Sequence, residues 1–179
     1  MCSSDLGPDR VTVEAIAEAA GVSTRTFFNY FPTKDDAILG IDPAEQAEMM
    51  DDLRNRPAGE APLDTLRTIA LDMTGRLEVQ ADELIARRHL AQRHPALAVR
   101  RAARLAESER AMVEEIAART GLDPDVDPYP TLVVAAALAA LRAGLTVWYE
   151  RARPESLAEA LAATFDQLAA GLPMPALVR

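Results

Sequence analysis

The chain has 179 residues, of which 49% are apolar, enough for one compact domain or two small ones sharing a helix. Aromatic residues make up only 4% and alanine is abundant, a balance that favours packed helices. The net charge is −9, with three cations against six acids in residues 1–39 and sixteen against twenty-two in residues 40–179, so nonspecific attraction to phosphate is expected to be weak.

The first ten residues read as a leader. MCSSDL has no apolar periodicity, and Gly7-Pro8-Asp9 reads as a loop. Thr12 then caps a helix on which Val13, Ile16, Ala17 and Ala20 form one apolar face. Gly21 falls where the chain must turn sharply, since glycine reaches positive φ without steric penalty, and Val22 is expected to anchor the turn in the core. Ser23 caps a second short helix through about Phe31. Phe27 and Phe31 share the face that would hold this helix against the first, while Thr24, Arg25 and Asn29 project elsewhere. Pro32 ends the helix, because it lacks an N–H and disfavours helical geometry in the residue before it. Thr33 with Asp36 three residues on is an acidic version of the capping box, opening a third helix with Lys34 in its first turn.

This stretch resembles the helix-turn-helix of the TetR family of bacterial transcriptional repressors. The matching residues are Thr12-Val13, Ile16-Ala17, Ala20-Gly21-Val22-Ser23, Thr26-Phe27, Tyr30-Phe31, Lys34 and Leu39, within about one sixth of the chain. The resemblance implies an all-α fold, with a TetR-like helix-turn-helix DNA-binding domain followed by a helical ligand-binding and dimerisation domain. Carried over residue by residue, it makes Ser23–Phe31 the recognition helix lying in the major groove. Ser23, Thr24 and Arg25 stand at its leading end, and Arg25 is the candidate for a bidentate guanine contact. Thr24 and Asn29 reach bases or phosphates. Thr26, Tyr30 and Lys34 match positions that touch the phosphate backbone and set register. Thr12 starts a helix whose backbone N–H groups face a phosphate. Two departures stand out. Phe28 occupies a place where the family usually has tyrosine, so a phosphate-facing hydroxyl is missing there. The family also carries a full amphipathic helix before the motif, whereas only Met1 to Arg10 precede it here. MCSSDL matches the translated end of a common sequencing adapter, so residues 1–10 are expected to be an irregular artefact in place of a lost first helix. Residues 11–41 are then an incomplete DNA-binding domain and residues 42–179 the ligand-binding and dimerisation domain. An apolar patch is expected beside Ile16 and Phe27.

Past Leu39 the chain reads as helix after helix. Ile41-Asp42-Pro43 breaks the third helix, and Pro43 opens a segment reaching roughly Arg54. Asn55 to Pro62 is a loop, followed by one helical stripe of Leu63, Leu66, Ile69, Ala70, Met73 and Leu77. Gln80 to Asp82 is a boundary before a helix carrying Leu84, Ile85 and Leu90. Pro95 starts a long helix with Ala98, Ala102, Leu105, Met112 and Ile116 in near-heptad spacing, ended by Gly121. After an aspartate-rich loop comes an almost uncharged helix from Pro130 to about Arg151. Pro154 starts a last helix with Leu157, Leu161, Phe165 and Leu168 on one face and Gly171 as its stop.

The helix from Thr131 to Tyr149 has too much apolar surface for one neighbour to cover. In the TetR family the last two helices pair with their copies in a second subunit, which implies a homodimer with Leu141, Leu145, Trp148, Leu161 and Phe165 at or near the interface. The resemblance also implies a small-molecule inducer, of unknown identity, within the helices from Leu63 to about Leu145. The residues offer only an apolar lining: Leu66, Ile69, Met73, Leu77 and Leu84, with Met112 and Ile116 opposite. The implied macromolecular partner is a double-stranded DNA operator.

Catalysis, metals and cofactors have no support in the residues. His89 and His94 are five apart, on different helix faces, and no zinc-protease spacing, phosphate loop or nucleophile elbow occurs. Cys2 is the single cysteine, so there is no disulfide framework, and a reducing cytoplasm is the expected compartment. The longest uninterrupted apolar run, Leu132 to Leu141, is about half of what a membrane span requires, so no membrane association is expected. The competing reading is a helical ligand-binding and dimerisation module that has lost DNA binding with its first helix.

Overall fold

The computed structural model describes residues 11–150 and 156–174, and among them every regular element is a helix. The leader, with Met1 to Leu6, Cys2 and Gly7-Pro8-Asp9, lies outside the described residues, as does Pro154. The chain divides into two compact units. One takes residues up to Glu48 together with Asp82–Ala106, and the other takes Met49–Ala81 together with the chain from Glu107 onward.

The first unit contains α1 (Val13–Ala19), α2 (Thr24–Tyr30) and α3 (Lys34–Leu39), with the start of α4 (Pro43–Asn55). It also takes α7 (Ala81–Arg93) from Asp82 on, and the front of α8 (Pro95–Thr120). Each of the first three helices is capped as its sequence dictates. The hydroxyls of Thr12, Ser23 and Thr33 accept from the backbone N–H of Ala15, Thr26 and Asp36. Gly21 has φ +67°, and its N–H and that of Val22 bond back to the carbonyls of Glu18 and Ala17 at 3.0 and 2.9 Å. These backbone bonds close the turn without a side-chain anchor. Val22, expected in the core, is 40% exposed. The expected face of α1 is only partly realised, for Ala17 is buried, Val13 and Ile16 are half-buried and Ala20 is exposed. Phe27 is buried, at 4% exposure, whereas the neighbouring Phe28 is exposed.

A small apolar cluster of Leu39, Ala91 and Leu97, with Ile38, Ile41 and Leu90 against it, ties α3 to α7 and the front of α8. The near-heptad reading of α8 fails in this half. Ala98, Ala102 and Leu105 are exposed, and the inward positions are Leu97, Arg100 and Arg104. Arg100 and Arg104 turn toward a buried carboxylate on α3.

The second unit holds α5 (Pro62–Asp72), α6 (Thr74–Val79), α9 (Tyr129–Glu150) and α10 (Leu157–Ala169), with the rear parts of α4 and α8. Its main core gathers Met50, Leu53, Leu66, Ile69, Met112, Ile116, Val134 and Phe165. A second cluster gathers Ala81, Trp148, Leu157, Ala160 and Leu161. The single helix expected over residues 63–77 is interrupted at Met73, where the Thr74 hydroxyl donates to the Leu71 carbonyl at 2.7 Å, a local bond that competes with the helical ladder. The 56–61 loop is stapled by Arg119, which donates to the carbonyls of Leu53, Arg56 and Pro57. Within the loop Arg56 pairs with Glu60, whose carboxylate also accepts from the Thr65 hydroxyl at 2.9 Å. Helix α10 opens on Ser156 with a complete Ser156–Glu159 capping box.

Helix α9 is 22 residues long and, by length and composition, long and apolar enough to cross a membrane. The uninterrupted run measured from the sequence stops at Arg142, yet that residue is exposed and the helix continues past it. Here one side of α9, through Val133, Val134, Ala137 and Ala140, forms core, and α10 packs closely along it.

Candidate nucleic-acid interface

Helix α2 is seven residues long and has two chemically different sides. On one, the buried Phe27 ring meets Phe28 edge-on at 5.4 Å and the half-buried Phe31 at 5.8 Å. An aromatic plug fixes so short a helix, which would not be stable in isolation. Around the rest of the helix Ser23, Thr24, Arg25, Asn29 and Tyr30 are exposed, Tyr30 at 59%. Hydroxyl, guanidinium and carboxamide groups are thus presented together on a rigid support, the donors and acceptors that base edges and phosphates require.

The remaining candidates lie near the ends of the short helices. Thr12 is exposed, with its hydroxyl accepting from the Ala15 N–H at 3.2 Å. Thr26 is half-buried, and its hydroxyl lies 2.8 Å from that of Ser23, so these two groups orient each other. Lys34 is half-buried in the first turn of α3. Phe28, where the family favours tyrosine, is 54% exposed.

Asp36 is the residue the sequence reading undervalued. Expected only as a cap partner, it is fully buried. Its carboxylate accepts from Arg100 through Nε at 3.0 Å and Nη2 at 2.7 Å, and from the Thr33 hydroxyl at 2.7 Å. Arg104 adds two longer contacts, at 3.4 and 3.3 Å. Burial, the largest influence on this carboxyl, favours the neutral acid. The hydrogen bonds from Arg100, Arg104 and Thr33 outweigh it and hold the group ionised well below the usual carboxylate range.

Residues 3–39 match the family model for bacterial regulatory proteins of the tetR family, and residues 60–173 match that of the MftR C-terminal domain. The chain belongs to the TetR family. It is 34% identical over 166 residues to the HTH-type transcriptional regulator TcmR of Streptomyces glaucescens, a match that covers 89% of this chain and 73% of that one. Among solved structures it is similar to the TetR family regulator PfmR from Thermus thermophilus, at 18% identity and a TM-score of 0.46, over 93% of this chain and 92% of that one. A TetR transcriptional regulator from a Rhodococcus species is also similar, at 18% identity and a TM-score of 0.43, over 95% and 90%. The chain is therefore an all-α, DNA-binding transcriptional regulator of the TetR family.

TetR regulators bind DNA and small molecules as dimers, which gives the second unit its interest. Of the residues expected to line an inducer site, Leu66, Ile69, Met112 and Ile116 are buried together, with Met73 packed against them. Leu77 packs instead against the Trp148 cluster, and Leu84 is half-buried on α7 in the first unit. Of the residues expected at a dimer interface, Trp148, Leu161 and Phe165 are buried within their own chain, while Leu141 and Leu145 are half-buried. The outward side of α9 carries Leu132, Ala135, Ala139 and Ala143, all exposed.

Proposed function

We propose that this TetR-family protein is a cytoplasmic, dimeric, ligand-responsive repressor that reads an operator with α2. Residues 11–41 serve DNA binding, and residues 42–179 serve ligand binding and dimerisation. Arg25 reads a guanine; Ser23, Thr24 and Asn29 contribute base or phosphate contacts; Thr12, Thr26, Tyr30 and Lys34 hold the backbone. The contrast within α2, where Phe27 is buried while Ser23, Thr24, Arg25, Asn29 and Tyr30 stay exposed, carries this reading.

The dimer is proposed to form through α9 and α10. Only 33% of the apolar stretch of α9 is buried within the chain, and its outward row falls at i, i+3, i+7 and i+11, one helix face. A second copy of the same face covers it, with Leu141 and Leu145 at the margin and Trp148, Leu161 and Phe165 supporting it from beneath. The inducer is a small, largely apolar molecule held near Leu66, Ile69, Met112 and Ile116.

Selection from random double-stranded DNA tests the reading. A dimer with two α2 helices on a twofold axis enriches a palindromic motif, with half-sites about one helical turn (roughly 34–36 Å) or a multiple of it apart. Enrichment of no sequence, or of a single asymmetric half-site, would count against it.

A further inference from the structure

Among the described residues, the apolar cluster between α3 and the α7–α8 elements is small, with Leu39, Ala91 and Leu97 buried and Ile38, Ile41 and Leu90 partly buried against them. Apolar contacts of this kind are non-directional, so they do not by themselves set the rotation of a six-residue helix. The contact between Asp36 and Arg100 is directional. A planar guanidinium meets a planar carboxylate through two parallel N–H donors, which fixes both distance and plane. The residues are 64 apart in sequence, so the bond has no role in local helix formation. Inside α3 the same residue donates its N–H to Thr33 and accepts the Ile41 N–H at 2.8 Å, so its backbone is held as firmly as its side chain.

Only Phe31, Pro32 and Thr33 separate α2 from α3. Whatever sets the position of α3 therefore sets the position of Lys34 and of the C-terminal end of α2. We infer that Asp36, gripped by Arg100 and secondarily by Arg104, is a positioning residue that holds α2 in the orientation needed to read its operator. The inference rests on the proposed role of α2, and it adds that selectivity depends on a buried ion pair remote from the bases.

The sign of the effect separates positioning from charge. Asp36→Asn removes one negative charge, which by itself strengthens attraction to any DNA. Positioning demands the opposite for the operator alone. We expect Asp36→Asn to weaken binding to the selected operator by about tenfold or more, comparable to losing one base-pair readout, with unchanged or tighter binding to random duplex. Arg100→Met removes a cation and so weakens attraction to any DNA, but its loss on the operator should exceed its loss on random duplex, and Arg104→Met, which leaves the fork intact, should show clearly less of that excess. Hydrogen exchange in α2 and α9 and the unfolding midpoint are measured on the same samples. Faster exchange confined to α2 and α3 supports the proposal. A variant that unfolds globally is replaced by Arg100→Lys, which keeps the charge without the fork and should show the same selective loss. The inference is overturned if wild type discriminates and all these variants discriminate equally well, operator and random duplex changing by the same factor. Absence of discrimination in the wild-type protein would instead overturn the reading of α2.

Discussion

Gly144 offers the sharpest test of how α9 and α10 pack. It is buried in the middle of α9, and a methyl group placed there would stand 2.6 Å from Leu161 Cδ2, 3.1 Å from Thr164 Oγ1 and 3.4 Å from the Ala160 carbonyl oxygen. Replacing a helical glycine by alanine ordinarily stabilises by about 1 kcal/mol. Against this, Leu161 is fully buried among Trp148, Leu157 and Ala160 and has little room to yield, so overpacking should cost about 1–3 kcal/mol. Gly144→Ala should therefore destabilise by about 0–2 kcal/mol, a reversal of the usual sign. Leu161→Ala alone should cost about 2–5 kcal/mol. In the Leu161→Ala background the main clash is gone, and Gly144→Ala should become neutral or stabilising by up to about 1 kcal/mol. Urea unfolding of the four proteins at one fixed concentration measures the cycle, the fixed concentration being needed because dimerisation contributes to stability. Stabilisation by Gly144→Ala in the wild-type background, or the same effect in both backgrounds, would refute the packing argument.

Two further outcomes follow from other parts of the second unit. Ala139→Glu places a charge on the exposed face of α9 without disturbing the chain's own core, so it should yield a folded monomer by sedimentation; a dimer of unchanged affinity would remove that face from the interface. Glu60 is held down from its ordinary 4.5 to about 2, chiefly by its hydrogen bond from Arg56 and against the pull of burial, with help from Thr65. Its folded value lies below its unfolded one, so its contribution is complete above 4.5 and is lost as pH falls from there toward about 2. Glu60→Gln should flatten the fall in unfolding midpoint across that window, and an unchanged acid limb would show that the Arg56–Glu60 pair contributes nothing.

Much of the fold was legible because it rests on local chemistry. Thr12, Ser23, Thr33 and Ser156 each bond to an N–H three residues on, and Gly21 takes positive φ where the turn needs it. Such features are written within a few residues of where they act. What the sequence concealed depends on partners far along the chain. Arg100 and Arg104 look like the polar side of an alanine-rich helix until Asp36, 64 and 68 positions earlier, is brought beneath them. The apparent stripe of Ala98, Ala102 and Leu105 then turns outward. Helix α9 posed the opposite difficulty. Its residues are apolar nearly all round, so periodicity could not tell the side that packs on α10 from the side left exposed; Trp148 turns inward, as do Leu161 and Phe165 on α10, while Leu132, Ala135, Ala139 and Ala143 face out. On α2 the residues singled out as polar contacts, Ser23, Thr24, Arg25, Asn29 and Tyr30, are exposed and Thr26 is half-buried, while of the aromatic set Phe27 is buried and Phe28 is exposed.

The central claim is that α2 reads sequence through Arg25, and position-by-position affinity measurements with Arg25→Ala test it most directly. Single-base variants of the selected operator are titrated with wild-type and variant protein at one fixed salt concentration. The account predicts that wild type discriminates at a guanine in each half-site and that Arg25→Ala loses about 1–3 kcal/mol of that discrimination, leaving the other positions as they were. A uniform loss across all variants, with the guanine preference intact, would contradict it.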